Sequence, residues 1–260
     1  MSILVFGKSV VGASHVKIGK GMDDSYGSFV KGDSIIAVTA DGAGSAPFSK
    51  KGADLVVSTF ISKFKDSDDL GDPETFITST LETAREEIKN ASQQKEYLAA
   101  DLKPMHKPSL KDYATTVLVF IGIGDKWYTS HIGDGAIVIY NDERFEVVSQ
   151  PYNSEYVNET VFLTSDNYMR FLDLKSGNGF QKVFIFTDGI QRGVLEPENG
   201  ILKPFLPFFE DISKFSDSVI SEEQGSNEIE KLLLSDQFSE ISDDDKTLVV
   251  VVKRDKDHTL

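Results

Sequence analysis

Two amphipathic helical segments follow one another directly in this chain, with short strand-like segments before and after them. That order departs from the strand–helix–strand alternation of a parallel sheet. Strands are predicted at Ser25–Val30, Ser34–Thr39, Thr115–Ile123, Lys126–Ile132, Ala136–Tyr140, Arg144–Val148, Thr160–Leu163, Lys182–Thr187 and Thr247–Lys253. They are rich in Val, Ile, Phe and Tyr and are bounded by Gly, Asp or Asn, as strands closed by turns are. The first helix, Lys50–Phe64, carries Ala53, Val56, Val57, Phe60 and Phe64 on one stripe. The second, Pro73–Gln93, carries Phe76, Ile77, Leu81, Ala84 and Ile88, and Asp72-Pro73 supplies its start. Further helices are expected at Pro204–Ser213 and Ser226–Leu234, and Ser92–Asp112, with Pro104 and Pro108, reads as a loop. Antiparallel sheets with helices packed outside them are therefore expected, in one domain.

Composition narrows the function. The formal net charge is −15, which argues against general affinity for nucleic acid or an anionic membrane. The absence of Cys excludes disulfides, thiolate zinc sites and cysteine nucleophiles. The longest apolar runs, Val117–Ile121 and Leu248–Val252, fall far short of the ~18 residues of a membrane span. Met1–Gly12 lacks the pattern of a signal peptide. A soluble, cytoplasmic protein is expected.

Several of the acids stand at the ends of the most apolar strands. Ile35–Ala40 runs into Asp41-Gly42-Ala43-Gly44, and Val183–Thr187 runs into Asp188-Gly189. Asp24 precedes the Ser25–Val30 strand, Asp243-Asp244-Asp245 precedes the last one, and Asp134 sits in the turn Gly133-Asp134-Gly135. In an antiparallel sheet the end of one strand lies beside the start of its neighbour, so these acids can gather on one edge. Like charges that gather there disfavour joint ionisation. A hard divalent cation resolves the conflict, and carboxylate, carbonyl and water oxygens suit Mg²⁺ or Mn²⁺. A single Asp-Gly after a strand is an ordinary turn. It is the repetition at strand ends that points to a metal.

At these residues the chain resembles the metal-dependent protein phosphatases of type 2C. The motifs occur in family order: Asp23-Asp24, Asp41-Gly42-Ala43-Gly44, Ala114-Thr115-Thr116, His131-Ile132-Gly133-Asp134, Thr187-Asp188-Gly189 and Asp244-Asp245-Lys246-Thr247. Gly12-Ala13-Ser14-His15 and Glu155-Tyr156-Val157-Asn158-Glu159-Thr160 are similar to a bacterial branch. The resemblance implies an α+β, four-layer α-β-β-α sandwich, two antiparallel sheets flanked by helix pairs, with residues 1–260 forming one phosphatase domain. It implies hydrolysis of phosphoserine and phosphothreonine in proteins by a metal-activated water at a binuclear or trinuclear Mg²⁺ or Mn²⁺ site. Asp41 would bridge two ions, the Gly42 carbonyl would ligate one of them, and Asp188 and Asp244 would hold the other. Asp24 would orient water from an outer shell, and Asp134 with Asp188 would hold a third ion. A phosphoprotein substrate, a cognate Ser/Thr kinase, a monomeric state and a role in signal transduction are implied as well.

The departures from the family pattern are informative. Many members place an Arg where this chain has Gly19, and His15 or Lys17 is the expected phosphate contact instead. Lys20 reads as a solubilising residue. Ala43 replaces a His that can protonate the leaving alcohol in some members, which leaves His15 or metal-bound water as a substitute. Asp245 replaces a common Asn, so the ligand choice among Asp243, Asp244 and Asp245 falls on Asp244 from its distance to Thr247. His131 is expected within a strand, His106 in a loop and His258 in the tail. Trp127 and the Phe-rich stretch Phe205–Phe215 read as core, and Gln150–Asn178 occupies the place of the family's flap, a candidate for substrate contact. The alternative function is a catalytically silent regulatory pseudophosphatase. Its signature is loss of ligand aspartates, and all of them are present.

Overall fold

In the computed structural model, residues 2–94, 108–151 and 160–254 are described. The strands are β1 (Ser2–Val10), β2 (Ser25–Lys31), β3 (Ser34–Ala40), β4 (Val117–Ile123), β5 (Lys126–Ile132), β6 (Ala136–Asn141), β7 (Arg144–Ser149), β8 (Asp173–Asn178), β9 (Lys182–Phe186), β10 (Leu195–Glu198), β11 (Ile201–Pro204) and β12 (Lys246–Arg254). The helices are α1 (Ala13–Lys17), α2 (Ser49–Asp66), α3 (Pro73–Gln94), α4 (Asp188–Val194), α5 (Leu206–Ser218), α6 (Glu222–Leu233) and α7 (Asp236–Ile241).

Two five-stranded sheets form, in the orders β1-β12-β9-β6-β7 and β2-β3-β4-β5-β8, beside a small β10-β11 hairpin. Every pairing is antiparallel. The central strands are apolar on both faces, which explains their unbroken hydrophobic runs. On β3, Ile35 and Ala37 face the β1-β12-β9-β6-β7 sheet, with Leu118 beside them and Ile185 and Val249 across. The alternate residues Ile36 and Val38 face α2 and α3, against Val56, Phe60 and Ile77. On β12, Leu248 and Val250 pack outward on Phe209, Ile212 and Ile229 of α5 and α6, while Val249 and Val251 fill the inter-sheet core. The expected four-layer order is thus what forms.

Several elements differ from expectation. Thr160–Leu163 is irregular rather than a strand, because it crosses the end of the second sheet and pairs only through Leu163 N–H to Thr115 O, at 2.9 Å. The Thr115–Ile123 strand begins at Val117, since Thr115 and Thr116 are engaged elsewhere. Residues 2–10 become edge strand β1, in register with β12 from Ser2 opposite Arg254 to Val10 opposite Lys246. The polar segment Asp173–Asn178 becomes edge strand β8, within the stretch expected as a flap. The third expected helix begins at Leu206 instead of Pro204, which closes β11. The fourth begins at Glu222, where Ser221 Oγ accepts from Gln224 N–H at 3.2 Å. Helix α3 enters the segment read as a loop, whose last residues form a 3₁₀ turn, Leu110–Tyr113. The rest of that loop with His106, the motif residues Glu155–Glu159 and His258 lie outside the described residues.

Candidate metal centre

One end of the sandwich gathers the acids. Ser25 lies opposite Ala40, and Phe186 lies opposite both Ala136 and Leu248. Residues just beyond these strand ends must therefore converge: Asp24 and Asp41 from one sheet, Asp134, Asp188 and the 243–245 loop from the other. Asp41, Asp134 and Asp188 bring carboxylate oxygens within 4.8 Å of one another.

Each acid is held by its own neighbours. Asp41 N–H donates to Thr116 Oγ1 at 2.9 Å, and Thr116 N–H donates back to Asp41 O at 2.8 Å. Thr115 Oγ1 donates to the same carbonyl at 3.0 Å, so the Ala114-Thr115-Thr116 motif clamps the Asp41 turn. A Cβ on Gly42 would lie 2.9 Å from Asp23 O and 2.8 Å from Ser49 C, so glycine is required by the close approach of backbone. Asp24 is buried, and its Oδ2 accepts from Thr187 Oγ1 at 2.9 Å and Thr247 Oγ1 at 2.6 Å. Those threonines belong to the Thr187-Asp188-Gly189 and Lys246-Thr247 motifs, and they join the ends of β9 and β12 to the other sheet. Asp188 opens α4, and a Cβ on Gly189 would meet Asp245 O at 1.9 Å. Asp134 Oδ2 accepts from Thr160 Oγ1 at 2.5 Å.

The electrostatics of this end are unbalanced. Asp24 Oδ1, Asp134 Oδ1 and Asp188 Oδ1 are buried with no hydrogen-bond partner. Burial, helped by the charges of Asp245 and Asp188, pushes the Asp24 carboxyl up to about 7. Burial and then the charges of Asp134 and Asp244 push Asp188 up to about 7. Asp41 lies well above the usual carboxylate range, first through burial and then through Asp24, Asp188, Asp134 and Asp244. Burial raises Asp134 too. An all-oxygen donor set of this kind, with buried oxygens left over, fits a hard divalent cation.

The three consecutive acids before β12 take different parts, although Asp244 and Asp245 offer carboxylate oxygens within 4.8 Å of each other and of a His15 ring nitrogen, a group apart from Asp41, Asp134 and Asp188. Asp245 is buried, and its Oδ1 accepts from Gly12 N–H at 2.7 Å and sits 3.0 Å from His15 Nδ1. Its Oδ2 accepts from Asp23 N–H at 2.5 Å. Asp245 thus ties together the two stretches that precede β2. Asp243 is exposed, and its carbonyl accepts from Ser14 N–H at 2.9 Å and Ser14 Oγ at 2.8 Å. Asp244 is exposed at the rim, and its charge is felt by Asp41, Asp134 and Asp188.

The cations are arranged differently from the sequence expectation. Lys17 stands exposed at the end of α1, between the exposed Val16 and Ile18. Lys20 pairs with Asp23 and donates to Gly44 O at 2.8 Å, which sets it at the rim of the acid cluster. Its spacing three residues before Asp23 was the signal for this pair. His15 is buried, with Nε2 3.9 Å from Asp23 Oδ2. His131 lies on β5 as expected, 2.6 Å from Ser149 Oγ through Nδ1, and burial lowers its pKa to about 4.

A cleft of about 690 Å³ opens beside the Asp41 turn, between Ala43–Pro47 and the 162–167 segment. Arg85 on α3 braces the 162–167 segment that forms one wall. Its Nη1 donates to Leu163 O at 2.6 Å and Ser165 O at 2.9 Å, and its guanidinium lies 4.9 Å from the Tyr168 ring centroid. Sequence reading passed over Arg85, because its partners are backbone carbonyls far along the chain.

Known proteins resemble this chain in sequence and in fold. Residues 11–234 match a family model described as protein phosphatase 2C. Serine/threonine-protein phosphatase 3 of Escherichia coli (strain K12) is 28% identical over 222 residues, which cover 82% of this chain and 81% of that protein. The structure of serine/threonine phosphatase Stp1 from Staphylococcus aureus superposes with a TM-score of 0.68 at 11% identity, over 98% of this chain and 96% of that one. The catalytic domain of serine threonine protein phosphatase PstP, in complex with two manganese ions, superposes with a TM-score of 0.64 at 13% identity, over 97% of this chain and 99% of that one. At such identities the two structures speak for the fold. The last acidic motif, at Asp244, lies beyond the residues the family model matches.

Proposed function

The chain belongs to the protein phosphatase 2C family, and we propose that it hydrolyses phosphoserine and phosphothreonine in proteins at the acid-lined end of its sandwich. The observation that carries this reading is the set of buried carboxylate oxygens of Asp24, Asp134 and Asp188 that nothing in the chain satisfies. In the proposed site Asp41, the Gly42 carbonyl, Asp188 and Asp244 would hold two Mg²⁺ or Mn²⁺ ions, and Asp134 together with Asp188 would hold a third. When bound, the ions supply Lewis acidity that offsets charge on the phosphoryl oxygens and lowers the pKa of a water.

The chain's own residues do the rest. Asp24, locked by Thr187 and Thr247, keeps one free oxygen at the cluster and so fixes the outer shell. Lys20 at the rim and Lys17 beyond it offer point charges to a phosphate, without the two-pronged grip of an Arg. Asp245 holds His15 by Nδ1, which leaves Nε2 to hold or pass a proton to the leaving alkoxide. The cleft beside Asp41 takes the polypeptide flanking the phosphorylated residue.

We further read residues 1–260 as one phosphatase domain, monomeric and cytoplasmic, opposed by a cognate Ser/Thr kinase. Among the described residues, no helix is long and apolar enough to cross a membrane. The pseudophosphatase reading is the less favoured, because its mark is loss of ligand aspartates and the sequence keeps Asp41, Asp188 and Asp244. Hydrolysis of p-nitrophenyl phosphate and of a phosphothreonine peptide in Mn²⁺ tests the proposal. Asp41→Ala, Asp188→Asn and Asp244→Asn should each abolish turnover with the fold intact. A wild-type protein that turns over neither substrate with any divalent ion would overturn it.

A further inference from the structure

A second surface of the molecule is built for binding, on the helical layer away from the acids. Among the described residues, five of the nine large hydrophobic side chains left exposed fall between positions 201 and 234 of the sequence: Ile201, Phe205, Leu206, Ile220 and Leu234. Of these, Phe205 lines a groove of about 380 Å³ between α5 and α6, with Phe208, Ile212, Phe215, Ile229 and Leu232 along it. A contiguous apolar surface of this kind marks an interaction site more often than isolated exposed residues do. Only part of the Phe-rich stretch therefore serves the core. Phe209 is fully buried, whereas Phe205 is 37% exposed.

The charged side chains along this groove are of one sign: Asp211 and Glu228 line it, and no lysine or arginine does. Glu228 is paired with Lys231, while Asp211 has no ion-pair partner among the described residues. The same stretch of sequence, Phe205 to Ile241, has nine acidic residues and two lysines, a net −7 within a total of −15. None of them belongs to the metal centre, so the site already described does not account for them.

We infer that the groove between α5 and α6 docks a basic amphipathic helix of a partner protein. Two helices side by side leave a furrow into which the ridge of a third fits. Apolar side chains at helical spacing would fill the furrow, as in other helix-in-groove complexes. Lys and Arg on the flanks of that helix would meet Asp211 and Glu228. An anionic membrane surface or an acidic segment would be repelled by the same charges.

The probe is a fluorescent synthetic helix of Leu and Lys, with the leucines spaced three and four apart. It is titrated into the full-length protein and read by anisotropy. Its partners are a scrambled peptide of the same composition and a version with Glu for every Lys. The wild-type protein should bind the amphipathic basic peptide and neither of the others. Phe205→Asp and Leu232→Asp should each weaken binding roughly tenfold, as loss of an apolar anchor does. Asp211→Lys with Glu228→Lys should weaken it several-fold and flatten its salt dependence. Asp68→Lys with Asp69→Lys, on the opposite side of the fold, should leave it unchanged. Melting temperature and hydrolysis of p-nitrophenyl phosphate serve as folding controls, and the Asp211/Glu228 variant stands alone should an apolar variant fail them. Equal binding of the scrambled peptide, or full binding by the Asp211/Glu228 variant, would reduce the effect to general attraction to an acidic protein and overturn the inference.

Discussion

The two ends of the sandwich bury charge in opposite ways. At the far end, Lys182 Nζ donates to Ser213 O at 2.8 Å and Ser213 Oγ at 2.7 Å, and it lies 2.7 Å from Asp217. Lys253 donates there to Gly124 O and Asp125, each at 3.0 Å. These cations are nearly inaccessible and fully satisfied, so that end is complete as folded. At the near end four acids share one space, and three of them keep a buried oxygen with no partner. Burial of a charge is tolerated when partners are supplied and is costly otherwise. The far end draws its partners from the chain, while the near end requires them from solution.

Substitutions at the two ends should therefore change stability in opposite directions, and those at the near end alone should change activity. The largest effect is expected for Asp188→Asn. It should lower Mn²⁺-dependent hydrolysis by more than about a hundredfold, beyond the loss typical of an outer-shell partner. In the presence of EDTA the same variant should be more stable than wild type by on the order of 1 kcal/mol, because one of the crowded charges is gone. Denaturant unfolding with and without EDTA reads the second effect.

A pH effect of similar weight belongs to His131, the group at the near end that is buried neutral. Its folded pKa of about 4 lies below the ordinary 6.5. The unfolded state therefore binds the proton more readily, and stability falls as pH drops from above 6.5 toward 4. The loss is on the order of 3 kcal/mol for a shift of this size. His131→Asn should remove that part of the acid sensitivity, which a comparison of unfolding at pH 7.5 and pH 4.5 (roughly the two limits of this titration) would reveal.

Lys182→Met should then cost about 1–2 kcal/mol by stripping Ser213 and Asp217 of their donor, with hydrolysis unchanged. The smallest effect is expected at Arg85. Arg85→Ala should raise KM for a phosphopeptide roughly threefold, the weight of about one hydrogen bond, and leave p-nitrophenyl phosphate kinetics alone. Equal losses on both substrates would place Arg85 in general folding instead.

Much of the near end was legible in the sequence for a physical reason. Central strands are buried on both faces, so they read as unbroken apolar runs, and an Asp-Gly immediately after such a run stands out. Asp41 and Asp188 were found in that way and Asp134 from its turn between two strands, and the structure brings the three together. An edge strand can lack such a signal altogether. β8, Asp-Leu-Lys-Ser-Gly-Asn, is polar because one of its edges faces outward. The division of labour among Asp243, Asp244 and Asp245 was open as well, since it depends on Gly12 and His15 arriving from the other terminus. Lys20, read as a solubilising residue, differs from Lys17 only in which one reaches Asp23 and Gly44. Contacts between residues far apart in the chain decided each of these cases.

Calorimetric titration of Mn²⁺ into the metal-free protein tests the central claim most directly, that the near end is a binding site for divalent cations. The account predicts saturable binding of at least two ions (roughly the number a shared carboxylate clamps), lost in Asp41→Ala and retained in Lys182→Met. Absence of saturable binding, or equal binding by Asp41→Ala, would contradict it.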